Sequence, residues 1–183
     1  MKNILLFFGL FFSLSVFSQV NYVDIADTTI TPIGGDFDYN LDLNSDGMVD
    51  FVINLSGSSA IGYIQFEANG ASLNQVLEAG LGEAKRMQCQ DSVNAYSQWN
   101  GLNSALPIIT YLQGSSFGSQ FNGGVVDGYL GVRFFDSTSL EHYAWIRVDV
   151  PDTIMSITIK DFAYTSNTEG IEVCEVEDSC LNV

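Results

Sequence analysis

The feature that most constrains the fold is a regular alternation of apolar and polar side chains along three segments of the C-terminal half. Every second residue of 141–150, "EHYAWIRVDV", falls on the same face of an extended chain, which gives Ala144, Ile146, Val148 and Val150 on one face and Tyr143, Trp145, Arg147 and Asp149 on the other. Residues 127–136 and 154–165 alternate in the same way, through Leu130, Val132 and Phe134 and through Met155, Ile157 and Ile159. Because side chains alternate between the faces of a β-strand, this pattern predicts half-buried strands. The short gaps at 137–140 and 151–153 predict antiparallel hairpin neighbours.

The rest of the chain fits the same fold class. Phe51, Ile53 and Leu55 alternate with polar or smaller residues, 61–66 is a second strand candidate, and Gly, Asn, Ser and Asp separate the apolar runs. No repeat of 20–50 residues is visible, which argues against a solenoid or a propeller. The sequence therefore predicts an all-β fold, an antiparallel β-sandwich or jelly roll.

Two segments are harder to assign from the pattern. Residues 71–100 are expected to be strand and loop with at most one helical turn, because Gly80 and Gly82 interrupt the helical periodicity. Residues 114–124, "GSSFGSQFNGG", are expected to form a long flexible loop.

The first eighteen residues have the pattern of a secretory signal peptide. Lys2 precedes an apolar run over 4–12, and Val16 and Ser18 suit the small-residue positions of a cleavage site. Cleavage after Ser18 would leave 19–183 as one domain with a short acidic tail and no membrane span. The sequence thus predicts a secreted protein, extracellular or periplasmic.

The charge balance narrows the range of partners. The chain has six Lys and Arg residues and 22 Asp and Glu residues. Removal of Lys2 with the predicted signal peptide would change the net charge from −16 to −17. Such an excess of acid disfavours nucleic acid and anionic membrane surfaces as partners, and it suits cation binding.

Residues 42–50, "DLNSDGMVD", have the spacing of a calcium loop. Asp42, Asn44, Asp46, the carbonyl of Met48 and Asp50 match positions 1, 3, 5, 7 and 9 of an EF-hand loop, and Gly47 permits the sharp turn. The twelfth position is Ile53 where an EF-hand has a bidentate Glu, so another oxygen, from Asp36 or Asp38, is expected to complete the shell. The alternative is a turn rich in Asp and Asn that binds no metal.

Three cysteines leave the disulfide pattern open. Cys174 and Cys180 are close enough in sequence to bridge, which would leave Cys89 as a buried thiol. A bridge from Cys89 to one of the two C-terminal cysteines is the alternative.

Two resemblances to known families follow from these motifs. The 42–50 loop resembles the calcium loops of dockerins, thrombospondin type 3 repeats and integrin-like propeller blades, which implies the ligand roles given above and calcium as the cofactor. The series "YLGVRF" (129–134), "HYAWIRV" (142–148) and "DFAY" (161–164) resembles a largely uncharacterised group of secreted bacterial β-rich proteins. Many members of that group end in a sorting segment or anchor, and residues 172–183 match neither, so a freely secreted or periplasmic protein is expected.

The sequence contains no recognisable catalytic motif. The sole histidine, His142, adjoins Glu141 on a predicted strand, where neighbouring side chains point to opposite faces, so a packing role is expected. Tyr143, Trp145 and Arg147 could form a face that stacks on carbohydrate or on a surface protein. In the alternative, Trp145 packs inside and Arg147 pairs with an acid. A non-catalytic surface or matrix binding module is the favoured function, ahead of an extracellular polysaccharide hydrolase and a structural or adhesin accessory protein.

Overall fold

The structure of the chain is a computed structural model. This structure describes residues 19–32, 35–57, 61–69, 73–80, 82–101, 105–112, 115–117, 120–152 and 155–174. The predicted signal peptide and Cys180 lie outside these residues.

The described residues form β-strands joined by turns and loops. The strands, in chain order, are β1 (Asn21–Ile30), β2 (Phe37–Leu41), β3 (Phe51–Gly57), β4 (Ile61–Ala68), β5 (Gln75–Val76), β6 (Arg86–Met87), β7 (Ser92–Val93), β8 (Ala105–Leu112), β9 (Ser115–Phe117), β10 (Val125–Phe135), β11 (Glu141–Val150), β12 (Ile157–Thr165) and β13 (Ile171–Glu172). No helix occurs among the described residues, and so none there is long and apolar enough to cross a membrane.

The strands form two main antiparallel sheets packed against each other. The six-stranded sheet has the order β1-β12-β11-β10-β5, with β6 also paired to β10, and the five-stranded sheet has the order β2-β3-β4-β8-β9. Strands β10, β11 and β12 are consecutive antiparallel neighbours, so the predicted hairpins at 137–140 and 151–153 are confirmed. The predicted all-β antiparallel sandwich is confirmed as well.

The hydrophobic core lies between these two sheets. It is formed by the inward-facing side chains of both, including Phe51, Ile53 and Leu55 from β3 and Leu130, Val132 and Phe134 from β10, all at 0% exposure. These are the faces that the alternation predicted, because a side-chain period of two is set locally by the strand itself.

The six-stranded sheet carries a second cluster on its other face. Buried residues from the 77–93 segment and from the chain around β13 pack there, and we refer to them as the outer layer: Leu77, Met87, Val93, Ile171 and Val173. Gly131 on β10 allows this close approach, because a Cβ at that position would collide with Leu77 and come within 3.1 Å of Val93. The glycine of the "YLGVRF" motif is thus explained by packing.

The 114–124 segment differs from its prediction, and the 71–100 segment agrees with its prediction of strand and loop. Strand β9 (Ser115–Phe117) lies inside the predicted 114–124 loop and pairs antiparallel with β8, with Leu112 opposite Ser115 and Thr110 opposite Phe117. The 71–100 segment contains β5, β6 and β7, and its described residues contain no helical turn.

The disulfide prediction for Cys174 and Cys180 is wrong. Cys174 bonds to Cys89, with 5.2 Å between their Cα atoms. The physical reason is the outer layer itself: β13 pairs with β7, and the hydrogen bonds from the Val173 amide to the Asp91 carbonyl (2.8 Å) and from the Gln90 amide to the Val173 carbonyl (3.0 Å) bring the two cysteines together. The alternative pairing of Cys89 with a C-terminal cysteine is therefore correct.

Candidate metal centre

The 42–50 loop closes the hairpin between β2 and β3. Leu41 and Phe51 are register partners at the base of the loop, and the Asp50 amide donates to the Leu41 carbonyl at 2.8 Å. Leu43, at 1% exposure, anchors the loop in the hydrophobic core. Both ends and one internal residue are thus fixed by the sandwich before any ligand is considered.

Side-chain oxygens turn inward along the loop and accept hydrogen bonds from its own amides. Asp42 Oδ2 accepts from the Gly47 amide at 2.9 Å, and Asp46 Oδ1 accepts from the Met48 amide at 2.9 Å. Asn44 Oδ1 accepts from the Asp46 amide at 3.2 Å. Gly47 has a φ of 87°, a conformation that residues with a Cβ adopt only with strain, as the turn was predicted to require.

Asp50 is the buried carboxylate of the loop. Its side chain is 1% exposed, and its Oδ2 accepts from the Leu43 amide at 2.8 Å. Burial raises the pKa of Asp50 to about 7, and the negative charges of Asp42 and Asp46 act in the same direction. The charges of Asp42 and Asp46 thus oppose the ionisation of Asp50.

Asp46 connects the loop to the six-stranded sheet. Its Oδ2 accepts from the amide of Ser137, in the turn between β10 and β11, at 2.7 Å. That amide, followed by the Met48 amide, lowers the pKa of Asp46, so its carboxylate stays ionised.

Asn74 makes a second connection between the two sheets. It donates to the Asp50 carbonyl at 3.0 Å and accepts from the Phe135 amide at 2.9 Å. Sequence reasoning missed Asn74 and Ser137 because neither lies near the loop in the chain, and no local pattern marks them.

The chemistry of the loop fits a hard cation. Asp42 Oδ1 is buried and lacks a hydrogen-bond partner among the described residues, and such an atom is costly unless a proton or a cation meets it. The side chains of Asp42, Asn44, Asp46 and Asp50 offer oxygen ligands, which calcium prefers. In the described part of the chain, however, no group of three or more His, Cys, Asp or Glu side chains is placed together as metal ligands. The side-chain oxygens of the loop accept hydrogen bonds from the backbone amides of the loop itself.

Asp36 and Asp38 have hydrogen-bond partners on β3. Asp38 Oδ1 accepts from the Asn54 amide group and Asp36 Oδ1 accepts from the Ser56 hydroxyl, both on β3. The expectation that one of them completes the metal shell therefore has no support in the arrangement of these side chains.

His142 packs at the end of the sheet beside the loop, as predicted. Its ring stacks on Phe134 with 4.9 Å between centroids and meets Tyr164 edge-on at 5.6 Å. Its Nε2 lies 3.1 Å from Asp136 Oδ2. Hydrogen bonds from the Thr138 hydroxyl, the Leu140 amide and His142 lower the pKa of Asp136.

A small pocket of about 230 Å³ opens between the loop and this turn. Its wall includes Met48, Asp50, Leu73, Phe135 and Asp136. Two carboxylates whose pKa values are shifted in opposite directions therefore line the same cavity.

The predicted ligand-stacking face is wrong for its two aromatic residues. Tyr143 is 3% exposed and Trp145 is 2% exposed, because the outer layer covers this face of β11. Arg147 pairs through its guanidinium with Asp161, which is 2% exposed. The structure therefore agrees with the other interpretation of the sequence, in which Trp145 is buried and Arg147 pairs with an acid.

Comparison with known proteins gives no match to this chain among protein-family models, curated proteins or solved structures.

Proposed function

We propose that the chain is a secreted β-sandwich stabilised by calcium, which acts as a non-catalytic surface or matrix binding module. The observation that carries the calcium assignment is the 42–50 loop, whose Asp50 carboxylate is buried and whose Asp42 has a buried oxygen without a hydrogen-bond partner among the described residues. Without a cation, the charges of Asp42, Asp46 and Asp50 repel one another at neutral pH, and this repulsion opposes the fold that the core stabilises.

Asp42, Asn44, Asp46, Asp50 and the carbonyl of Met48 would hold the ion. Calcium supplies two positive charges that offset the repulsion of the carboxylates. The loop closes one hairpin and contacts Ser137 of another, so ordering it would connect the two sheets at one end of the sandwich.

Thermal unfolding with and without calcium tests this proposal. We expect calcium to raise the Tm of the wild type in chelator-treated buffer by several degrees, and Asp46→Asn to remove most of that shift. Asp27→Asn, an exposed acid on β1 away from the loop, is the matched control and should keep the full shift. A Tm that calcium leaves unchanged would exclude the site.

A polysaccharide hydrolase is the competing function, and the pocket beside the loop is where its acids would lie. Asp50 and Asp136 line that cavity, but about 230 Å³ is below the roughly 300–1,000 Å³ typical of small-molecule sites. Both carboxylates also accept hydrogen bonds from backbone amides, of Leu43 and of Leu140 respectively. These features favour the non-catalytic module. Release of reducing ends from polysaccharides that disappears in Asp136→Asn would support the hydrolase instead.

A further inference from the structure

The two sheets of the sandwich differ in what covers them. The six-stranded sheet is covered by the core on its inner face and, around Tyr143 and Trp145, by the outer layer on its other face. The five-stranded sheet buries its inner face, and on β2, β3 and β4 the residues between the core positions are exposed or half-buried. We refer to six of these outward side chains as the open face: Asp38, Asn40, Asn54, Tyr63, Gln65 and Glu67.

The strand register arranges the open face in rows. Asp38 pairs with Asn54, which pairs with Gln65, so three polar side chains cross the sheet in one line. Asn40 and Glu67 flank Val52 in the next line, and Tyr63 lies beyond Gln65 in the other direction. Lines on one face are about 7 Å apart along a strand, and neighbouring strands are about 4.8 Å apart. The open face is therefore an extended polar surface with an aromatic ring at one end.

Positive charge is absent from this sheet. Strands β2, β3, β4, β8 and β9 contain no Lys or Arg. The basic residues of the described part of the chain lie on the six-stranded sheet or directly before it, at Lys85, Arg86, Arg133, Arg147 and Lys160. The open face itself carries Asp38 and Glu67. A polyanion would meet only repulsion there.

We infer that the open face binds an uncharged polysaccharide. Asn40, Asn54 and Gln65 can each donate and accept hydrogen bonds, Asp38 and Glu67 can accept from sugar hydroxyls, and the Tyr63 ring, 37% exposed, can pack on the apolar face of a sugar. The apolar side chains on this face of β2, β3 and β4 are Tyr63 and the half-buried Val52, and they lie in different rows, whereas stable protein interfaces have a continuous apolar centre. The inference rests on the proposed function, because it names the ligand and the surface of that binding module.

Affinity electrophoresis of the calcium-loaded chain in gels containing neutral glucan, mannan, xylan or galactan tests the inference, with alginate and polygalacturonate as acidic counterparts. We expect retardation by at least one neutral polymer and by neither acidic polymer. Tyr63→Ala and Gln65→Ala should each weaken binding, Tyr63→Ala by about 10-fold. Tyr96→Ala is the matched control, since Tyr96 is 97% exposed and lies on the segment next to the other sheet. A cooperative thermal transition of each variant, like that of the wild type, confirms that it is folded.

The outcomes separate this inference from the proposed function. Retention that Tyr63→Ala and Gln65→Ala leave unchanged would overturn the open face as the site and leave the binding module in place. Preference for an acidic polymer, or no retention by any polymer, would overturn the ligand class, while the calcium effect on Tm would still decide the stabilising role of the loop.

Discussion

At the scale of single residues, burial makes the ionisation of Asp50 unfavourable in the folded chain. It is almost fully buried, its pKa is raised to about 7, and the ordinary value in an unfolded chain is about 3.9. In the calcium-free protein, the folded state therefore holds this proton between about pH 4 and pH 7 while the unfolded state has lost it. The resulting stability is fully present below pH 4 and is lost as the pH rises through 7.

We expect the free energy of unfolding of the calcium-free protein to fall between pH 5 and pH 8 by on the order of a few kcal/mol. Asp50→Asn should remove most of this fall, because the amide cannot ionise, whereas Asp27→Asn should retain it. Urea unfolding in chelator at pH 5, 6, 7 and 8 measures the slope. Equal slopes for Asp50→Asn and the wild type would show that another group titrates. Calcium should stabilise more at pH 8 than at pH 5, since it competes with the proton for this carboxylate.

At the scale of elements, the outer layer is the part of the fold that depends most on a covalent bond. Strands β7 and β13 have two residues each, too few to be stable as a separate sheet. Their attachment to the six-stranded sheet relies on Leu77, Val93 and Ile171, and on the Cys89–Cys174 bond between residues 85 apart in the chain.

Replacing Cys89 and Cys174 together by Ser should lower the free energy of unfolding by about 2–4 kcal/mol. Amide exchange should accelerate first in 87–93 and 171–174, and only slightly in β3 and β4, because the core between the sheets is unchanged. Urea unfolding and exchange mass spectrometry measure the two effects. Cys180→Ser is the control and should have neither effect. The Cys89–Cys174 pairing would be contradicted if Cys180→Ser lost stability while the variant with Ser at both 89 and 174 kept the stability of the wild type.

The same elements show how far sequence could predict this fold. The alternation through Leu130, Val132 and Phe134 predicted β10 correctly, because the side-chain period of a strand is local. The outer layer could not be predicted, because it joins a segment near residue 90 to another near 172 through strands that leave no periodic signal. For that reason the sequence left two alternatives for Tyr143 and Trp145, on the second apolar face of β11: an exposed ligand surface, or burial. The loop 42–50 was recognisable from its spacing, whereas Asn74 and Ser137 became neighbours only in the folded chain.

At the scale of the whole molecule, the charge is large and unevenly distributed. The chain has a net charge of −16, and its described basic residues are gathered on one side of the sandwich. Arg147 pairs with Asp161 there, and Lys160 lies 2.7 Å from Asp127. The five-stranded sheet and the 42–50 loop keep their negative charge without such partners among the described residues. Repulsion at the open face and the loop is therefore not offset by neighbouring positive charge.

Salt should consequently stabilise the calcium-free protein. Raising sodium chloride from 20 mM to 500 mM shortens the Debye length from about 20 Å to about 4 Å, which screens repulsion between exposed acids. We expect the Tm in chelator to rise across this range, because the folded chain holds its acids closer together than the unfolded chain does. A variant with Asn at 42, 46 and 50 separates the two sources of repulsion. If the molecule as a whole is responsible, the variant keeps most of the rise. If the rise in Tm disappears in the variant, the repulsion is confined to the loop. If the Tm of the wild type and of the variant both fall with salt, the ion pairs of the six-stranded sheet contribute more than the repulsion between acids.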